Sequence, residues 1–395
     1  MKNMEFKIPF SGRAHDYTEE EIDTVVTAMK SANPLTQGKY LHAFEEKFCE
    51  YIGAKYAFAV SNATAALEIA AQLCQFESGD EIVIPSHTFT SSAYPFAKKG
   101  ARLVWADIDP KTRVVTAETL SRKITKNTRA MVVPHLYGYG ADMPAIMDLA
   151  KKHDLLVIED AAQAMGVEIE GNKSGTFSDF GVFSFHSHKN ITTLGEGGIL
   201  VVKDEEIAKV IPLLRHNGHC AFPYTRKDYW IPAMGNLDFP RIHGKDLWPN
   251  NYCLGEIECA LGAKLLDRVD QINLEKRNRA LYFIDALVNF PMLEFHREDS
   301  VRHNYHLLAA RILNGQRDNF IRKMALEKGI QCVVQYYPLN RYPLYQQAGF
   351  GVADCPDADE FFDNMVSFPF HHWLSDEDMD YLLTSTREVL ESMEL

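Results

Sequence analysis

Short apolar runs alternate with amphipathic stretches over most of this chain. Two helical patterns open it, Thr18–Met29 and Tyr40–Tyr51. The runs Tyr56–Val60, Glu81–Ile84, Arg102–Ala106, Ala130–Val133, Leu155–Ile158, Val182–Phe185 and Ile199–Val202 are short and mainly apolar and read as buried strands. Between several of them, Ala63–Gln75, Ser91–Lys99 and Met143–His153 carry the spacing of helices. That alternation is what a mostly parallel sheet with crossover helices produces. The fold class is α/β, a mostly parallel central sheet flanked by helices.

From Arg215 to Asn250 the pattern stops. His216, Gly218, Pro223, Pro232, Gly235, Pro240, Gly244 and Pro249 are too many breakers for regular elements. A loop of that length is usually functional. A long helical pattern resumes from Leu254 to Val288, and Leu307–Leu313, Arg317–Lys328, Gln331–Tyr336 and the helical tail Asp376–Met393 then suggest a smaller α+β unit. The expected division is 1–289 and 290–395, with the boundary near Phe290.

A balance of 46% apolar and 24% charged residues over 395 positions is that of an ordinary globular protein with a large core. The formal charge of −13 argues against nucleic acid or an anionic membrane as partner and turns attention to small molecules. The opening MKNMEFKIPFSGRAHDYTEEE has no apolar core of signal-peptide length, and no stretch approaches the roughly 18 apolar residues that span a bilayer. A soluble, cytoplasmic protein is expected. Seven cysteines without a CxxC pair suit reduced thiols better than a disulfide framework, and they form no zinc-binding pattern.

Three segments at strand ends carry chemistry, where open α/β sheets place their ligand sites. In SNATAAL, Ser61 to Leu67, small residues at a strand-to-helix passage leave N–H groups and the Thr64 hydroxyl free for an anion. The same residues also suit a plain helix cap. In LLVIEDAAQ, Leu155 to Gln163, a strand ends in two adjacent carboxylates that must face opposite ways. One of them suits a protonated heterocycle nitrogen, although a helix cap or a metal ligand has the same composition. In GVFSFHSHKNITTLGEGG, Gly181 to Gly198, a buried strand runs into a Gly-rich loop carrying Lys189. Enclosure there lowers an amine's pKa and makes it nucleophilic, as a Schiff-base lysine requires. The GxxxxGK[ST] order of a P-loop is missing.

Together with NPLTQGKYLHAFEEKF, SGDEIVIPSHTFTSSA, VVPHLYGYGADM, NNYCLGEIECALG and CVVQYYPL, these segments resemble the DegT/DnrJ/StrS family of fold-type I, pyridoxal-phosphate-dependent sugar aminotransferases over nearly the whole chain. The resemblance implies that Lys189 holds pyridoxal 5'-phosphate as a Schiff base and that Asp160 pairs with the pyridine nitrogen. Gln163 would bond the phenolic oxygen and Phe89 would stack on the ring. Ala63, Thr64 and Ser184 would hold the phosphate, joined by Asn251 from the second subunit of a homodimer. L-glutamate would be the amino donor and a carbonyl sugar the acceptor. Residues 1–289 would then be the cofactor-binding domain.

The chain departs from the family pattern at Ala63, His87, Cys253, Leu254 and Gln335, which leaves the acceptor open rather than the cofactor chemistry. His87, His186 and His188 near the cofactor, with His216, His219, Arg241, His243 and Lys245 in the long loop, point to a sugar that carries its own carboxylate. The expected acceptor is 3,8-dideoxy-8-oxo-manno-octulosonate, with a nucleotide-linked 4-keto-6-deoxyhexose as the alternative. A pyridoxamine-dependent sugar dehydratase commonly shows His where Lys189 stands, and a non-enzymatic regulator would not need the Lys189, Asp160 and Gln163 set.

Overall fold

The computed structural model describes residues 5–13, 15–222 and 235–394. Helices α1 (Glu19–Ser31) and α2 (Lys39–Ile52) lead into a seven-stranded sheet. Its strands are β1 (Tyr56–Val60), β2 (Glu81–Pro85), β3 (Arg102–Ala106), β4 (Thr128–Pro134), β5 (Leu156–Asp160), β6 (Phe180–Ser184) and β7 (Gly198–Val202). They lie in the order β1-β7-β6-β5-β4-β2-β3. All pairings are parallel except those of β7, which runs antiparallel to both neighbours. A parallel return needs a crossover, usually a helix, and the β6-to-β7 link contains no helix, so the chain comes straight back. That link is the Lys189 loop.

The register decides where the site forms. Gly198 at the start of β7 lies opposite both Val60 at the end of β1 and Ser184 at the end of β6. Asp160 ends β5, whose neighbour is β6. The Ser61–Ala63 turn, Ser184, Lys189 and Asp160 therefore converge at one edge of the sheet. Helix α3 (Ala63–Leu73) starts from that edge, and its buried Leu67, Ile69 and Ala70 pack on the sheet.

A second, antiparallel sheet of β8 (Leu293–Phe295), β9 (Leu308–Ile312) and β10 (Met365–Phe368) packs with later helices around Phe283, Phe320, Phe368 and Leu382. The two apolar clusters do not divide at one point of the chain. Ile8 and Phe283 belong to the second, whereas Tyr345, Phe361 and Met365 belong to the first.

Three expectations change in detail. The long helix is two, Glu256–Leu265 and Val269–Ala286, joined by a tight turn of helix at Leu266–Arg268. Arg268 leaves helical geometry there, and its guanidinium bonds Glu21 of α1. Residues 331–336 form one isolated bridge, Val333 with Ser367, rather than a strand. The breaker-rich segment carries two short antiparallel pairs, His219–Cys220 with Asn236–Leu237 and Arg241–Ile242 with Lys245–Asp246. Pro223 and Pro232 lie outside the described residues. No helix among the described residues is long and apolar enough to cross a membrane.

Candidate active site

The convergent edge of the sheet opens on a cavity of about 380 Å³. Ala63, Thr64, Phe89, Asp160, Gln163, Ser184, His186, His188 and Lys189 all line it. Size and position are those of a small-molecule site in an α/β sheet.

The amino end of α3 forms one wall. Asn62 caps the helix through Oδ1, which accepts from Ala65 N at 2.8 Å. The first N–H groups of a helix have no partner inside it, so Ala63 and Thr64 still present theirs to the cavity. Capping and an anion cup are thus both present in SNATAAL. Thr64 Oγ1 donates to Ser91 Oγ at 2.9 Å, and Ser91 also lines the cavity. Directly beneath, a Cβ on Gly198 would come within 2.5 Å of Ala63 N and 2.4 Å of the Asn62 carbonyl carbon. Gly198→Ala is expected to push this turn outward, lowering stability by about 1–3 kcal/mol. A weaker affinity for inorganic phosphate or cofactor, measured by fluorescence titration, should accompany the lower thermal midpoint.

The two carboxylates at the end of β5 have separate tasks. Glu159 is fully buried and accepts from His135 Nε2 at 3.0 Å, Gly175 N at 2.8 Å, Phe177 N at 2.9 Å and Ser178 Oγ at 2.9 Å. Burial pushes its carboxyl up, but these donors outweigh it and hold the group below the usual carboxylate range. Glu159 is a structural anchor. Asp160 faces the other way, onto the cavity, where Ser92 Oγ donates to Oδ2 at 2.6 Å and Ala162 N to Oδ1 at 3.2 Å.

Lys189 sits half-buried in the turn closed by its own N–H donating to the His186 carbonyl at 2.8 Å. Burial pulls its ammonium down to about 8, against the opposing pull of Asp160 and Glu196. An amine so placed is partly unprotonated near neutral pH. Gln163 accepts from Tyr137 N at 2.7 Å through Oε1 and donates to Tyr336 Oη at 3.1 Å through Nε2. Its second amide hydrogen stays available. Phe89 is 50% exposed, an apolar ring turned to the cavity, with Tyr336 edge-on at 5.7 Å.

Other expected contacts are not made in this geometry. His87 is 1% exposed, does not line the cavity, and meets Tyr137 Oη at 2.7 Å instead. It is held by packing against Phe361 and orients Tyr137 rather than touching a substrate. Of the loop cations, Arg241 pairs with Asp246 at 2.6 Å and Lys245 with Glu77 at 3.2 Å, so both are neutralised away from the cavity. His216 and His219 pair with each other, and neither they nor His243 line the cavity. Cys253 and Leu254 are likewise outside it, whereas Gln335 lines it with Oε1 unpaired. Asn251 is exposed and absent from this chain's cavity.

Sequence reasoning missed Phe10, Ser11, Glu196, His306, Tyr336 and His371 in the cavity wall. Phe10 arrives because Ile8 bridges to Ile330 and Gln331 Oε1 accepts from Phe10 N at 3.0 Å. No local motif announces such a long-range pairing.

An enclosed lysine, a carboxylate, an anion cup and an apolar ring face are the parts that hold a phosphorylated pyridine aldehyde, and the residues present fit pyridoxal phosphate. Residues 15–387 match the profile of the DegT/DnrJ/EryC1/StrS aminotransferase family. The chain is 33% identical over 386 residues to a GDP-perosamine synthase of Caulobacter vibrioides, covering 96% of each chain. It superposes on PseC of Helicobacter pylori, an aminotransferase involved in the biosynthesis of pseudoaminic acid, with a TM-score of 0.86 at 27% identity, covering 98% of this chain and 100% of that one. Spr1654 of Streptococcus pneumoniae, in its pyridoxamine-phosphate form, gives a TM-score of 0.84 at 27% identity, over 97% of this chain and 99% of that one. The chain belongs to the DegT/DnrJ/EryC1/StrS aminotransferase family and is a pyridoxal-phosphate-dependent sugar transaminase.

Proposed function

We propose that this cavity moves an amino group from L-glutamate to a carbonyl sugar with Lys189 as its acid–base residue. The meeting of Lys189, Asp160, Gln163 and the amino end of α3 around one cavity carries the proposal. Pyridoxal phosphate, when bound, supplies the electron sink for breaking the substrate's carbon–hydrogen bond. Lys189 holds it through the amine, while Ala63, Thr64 and Ser184 hold the phosphate. Asp160 keeps the pyridine nitrogen protonated by ion pairing. The free Gln163 amide hydrogen serves the phenolic oxygen, and Phe89 covers the ring. With the cofactor bound, the freed Lys189 amine would act as general base at the substrate's α carbon.

For the acceptor we propose 3,8-dideoxy-8-oxo-manno-octulosonate, giving the 8-amino sugar of bacterial lipopolysaccharide. The segment SFHSHKNITTLGEGG is similar to that of the aminotransferase making this sugar, and His186 and His188 from it line the cavity together with His371. The Caulobacter relative's name favours a second reading, a nucleotide-linked keto-sugar. Direct competition separates them. Amination of the octulosonate with glutamate as donor is expected; efficient amination of a nucleotide-linked 4-keto-6-deoxyhexose, with no turnover of the octulosonate, would leave only the second.

A homodimer is proposed to complete each site. Asn251 is exposed beside an uncovered apolar patch in which Trp248 is 76% exposed and packs on Phe239 at 4.9 Å. Such a patch suits an isologous contact. Asn251→Ala is expected to weaken cofactor retention about tenfold, one charge-assisted hydrogen bond's worth. Mixed dimers of Asn251→Ala and Lys189→Ala chains should regain activity in one of their two sites; no recovery would contradict the cross-subunit role.

A further inference from the structure

Lys276 is a buried ammonium that meets no carboxylate among the described residues. Its Nζ donates to Asn190 Oδ1 at 3.1 Å and to the His306 carbonyl at 2.9 Å, with the Phe370 ring 5.3 Å away. Neutral acceptors only partly offset the cost of burying such a charge. Burial alone draws it down to about 7. Its acceptors show what it orders: Asn190 follows Lys189 in the chain, and His306 lines the cavity.

The hydrogen-bond chain behind that wall fixes its own polarity. Asn273 Nδ2 lies 2.8 Å from the Met165 carbonyl, which can only accept. The Asn273 amide oxygen is thereby turned to Asn190, whose Nδ2 donates to it at 2.8 Å. Asn190 is left presenting its oxygen to Lys276 and to His306 Nδ1, 3.4 Å away. An amide oxygen cannot donate, so a neutral His306 ring carries its proton on Nδ1. Burial, reinforced by nearby Lys189 and Lys276, keeps that ring neutral. Nε2 has no partner among the described residues, and its lone pair is left for the cavity.

We infer that His306 Nε2 accepts a hydrogen bond from a hydroxyl of the carbonyl substrate, with Lys276, Asn190 and Asn273 as positioning residues that fix its tautomer. The inference rests on the carbonyl-sugar reading proposed above. A neutral lone pair selects a donor: it takes a hydroxyl and turns away a carboxylate or carbonyl oxygen. An acidic group on the sugar must therefore lie against other residues of the cavity. L-glutamate has no hydroxyl, so one half-reaction should sense His306 and the other should not.

Holoenzyme labelled with ¹⁵N-histidine, with His306→Phe to assign the signal, reads the tautomer directly. A neutral ring protonated on Nδ1 is expected, with Nε2 alone perturbed when sugar is added. A proton on Nε2, or a doubly protonated ring, overturns the inference. Lys276→Met, or Asn273→Ala should the first not fold, is expected to mix the tautomers. In single half-reactions followed by cofactor absorbance, His306→Phe should raise KM for the aminated sugar about tenfold and leave the glutamate half within about twofold. His306→Gln, which offers an amide oxygen, should recover part of the loss. Equal losses in both halves also overturn it. Wild-type enzyme that aminates neither sugar contradicts the acceptor reading alone, and the tautomer then decides this inference.

Discussion

Lys189→Ala is expected to abolish transamination, with kcat falling by at least about 10³-fold, because nucleophile and proton carrier are lost together. Binding of the cofactor should survive, since the α3 amino end, Ser184 and Asp160 do not depend on the lysine. The variant should retain cofactor through dialysis less well than wild type yet still show it bound by absorbance. Its fold should be undisturbed: the Lys189 contact that closes the turn is made by the backbone N–H, which alanine keeps. Loss of binding together with activity would mean that the lysine supports the cup as well as the chemistry. Retained activity would favour a dehydratase, which dispenses with the lysine.

Asp160→Asn is expected to lower kcat by about 10²–10³-fold, the usual loss when a charge aimed at a reacting group is removed. Asparagine keeps an oxygen for Ser92 or Ala162 N but cannot hold the pyridine nitrogen protonated. Glu159→Gln should behave in the opposite way. It places an amide group against the N–H donors of Gly175, Phe177 and Ser178, costing about 2–4 kcal/mol of stability while leaving activity per folded molecule close to wild type. Because the folded Glu159 carboxyl is held low, its contribution is full above the unfolded carboxylate pKa and fades as pH falls through the folded value. The stability gap between Glu159→Gln and wild type should therefore narrow in acid. Similar activity losses in both variants would mean that the facing of β5 is misassigned.

The sheet was legible because its strands are buried on both faces and bounded by turns. Tyr56–Val60 and Arg102–Ala106 match residue for residue, and the others shift by one or two positions at their ends. That Lys189, Asp160, Gln163 and the Ala63–Thr64 turn share one cavity was legible for the same reason, each standing at or shortly after a strand end. The antiparallel course of β7 was not, because strand periodicity carries no direction. His306 and His371 were hidden because they enter the cavity from the second sheet's neighbourhood, His306 through a contact with Asn190, remote in sequence. His87 was misplaced for a simpler reason. Proximity in sequence to Phe89 says nothing about which side of the chain its ring takes, and it went into the core with Tyr137 and Phe361.

Lys189 is proposed to be the residue that carries the cofactor. Borohydride reduction of the yellow holoenzyme, followed by peptide mapping, tests this assignment most directly. Lys173 is held by Glu168 at 2.9 Å, Lys203 is engaged by the Phe177 carbonyl, and neither lines the cavity. The pyridoxyl group should be found on Lys189; its recovery on Lys173 or Lys203 would contradict the account.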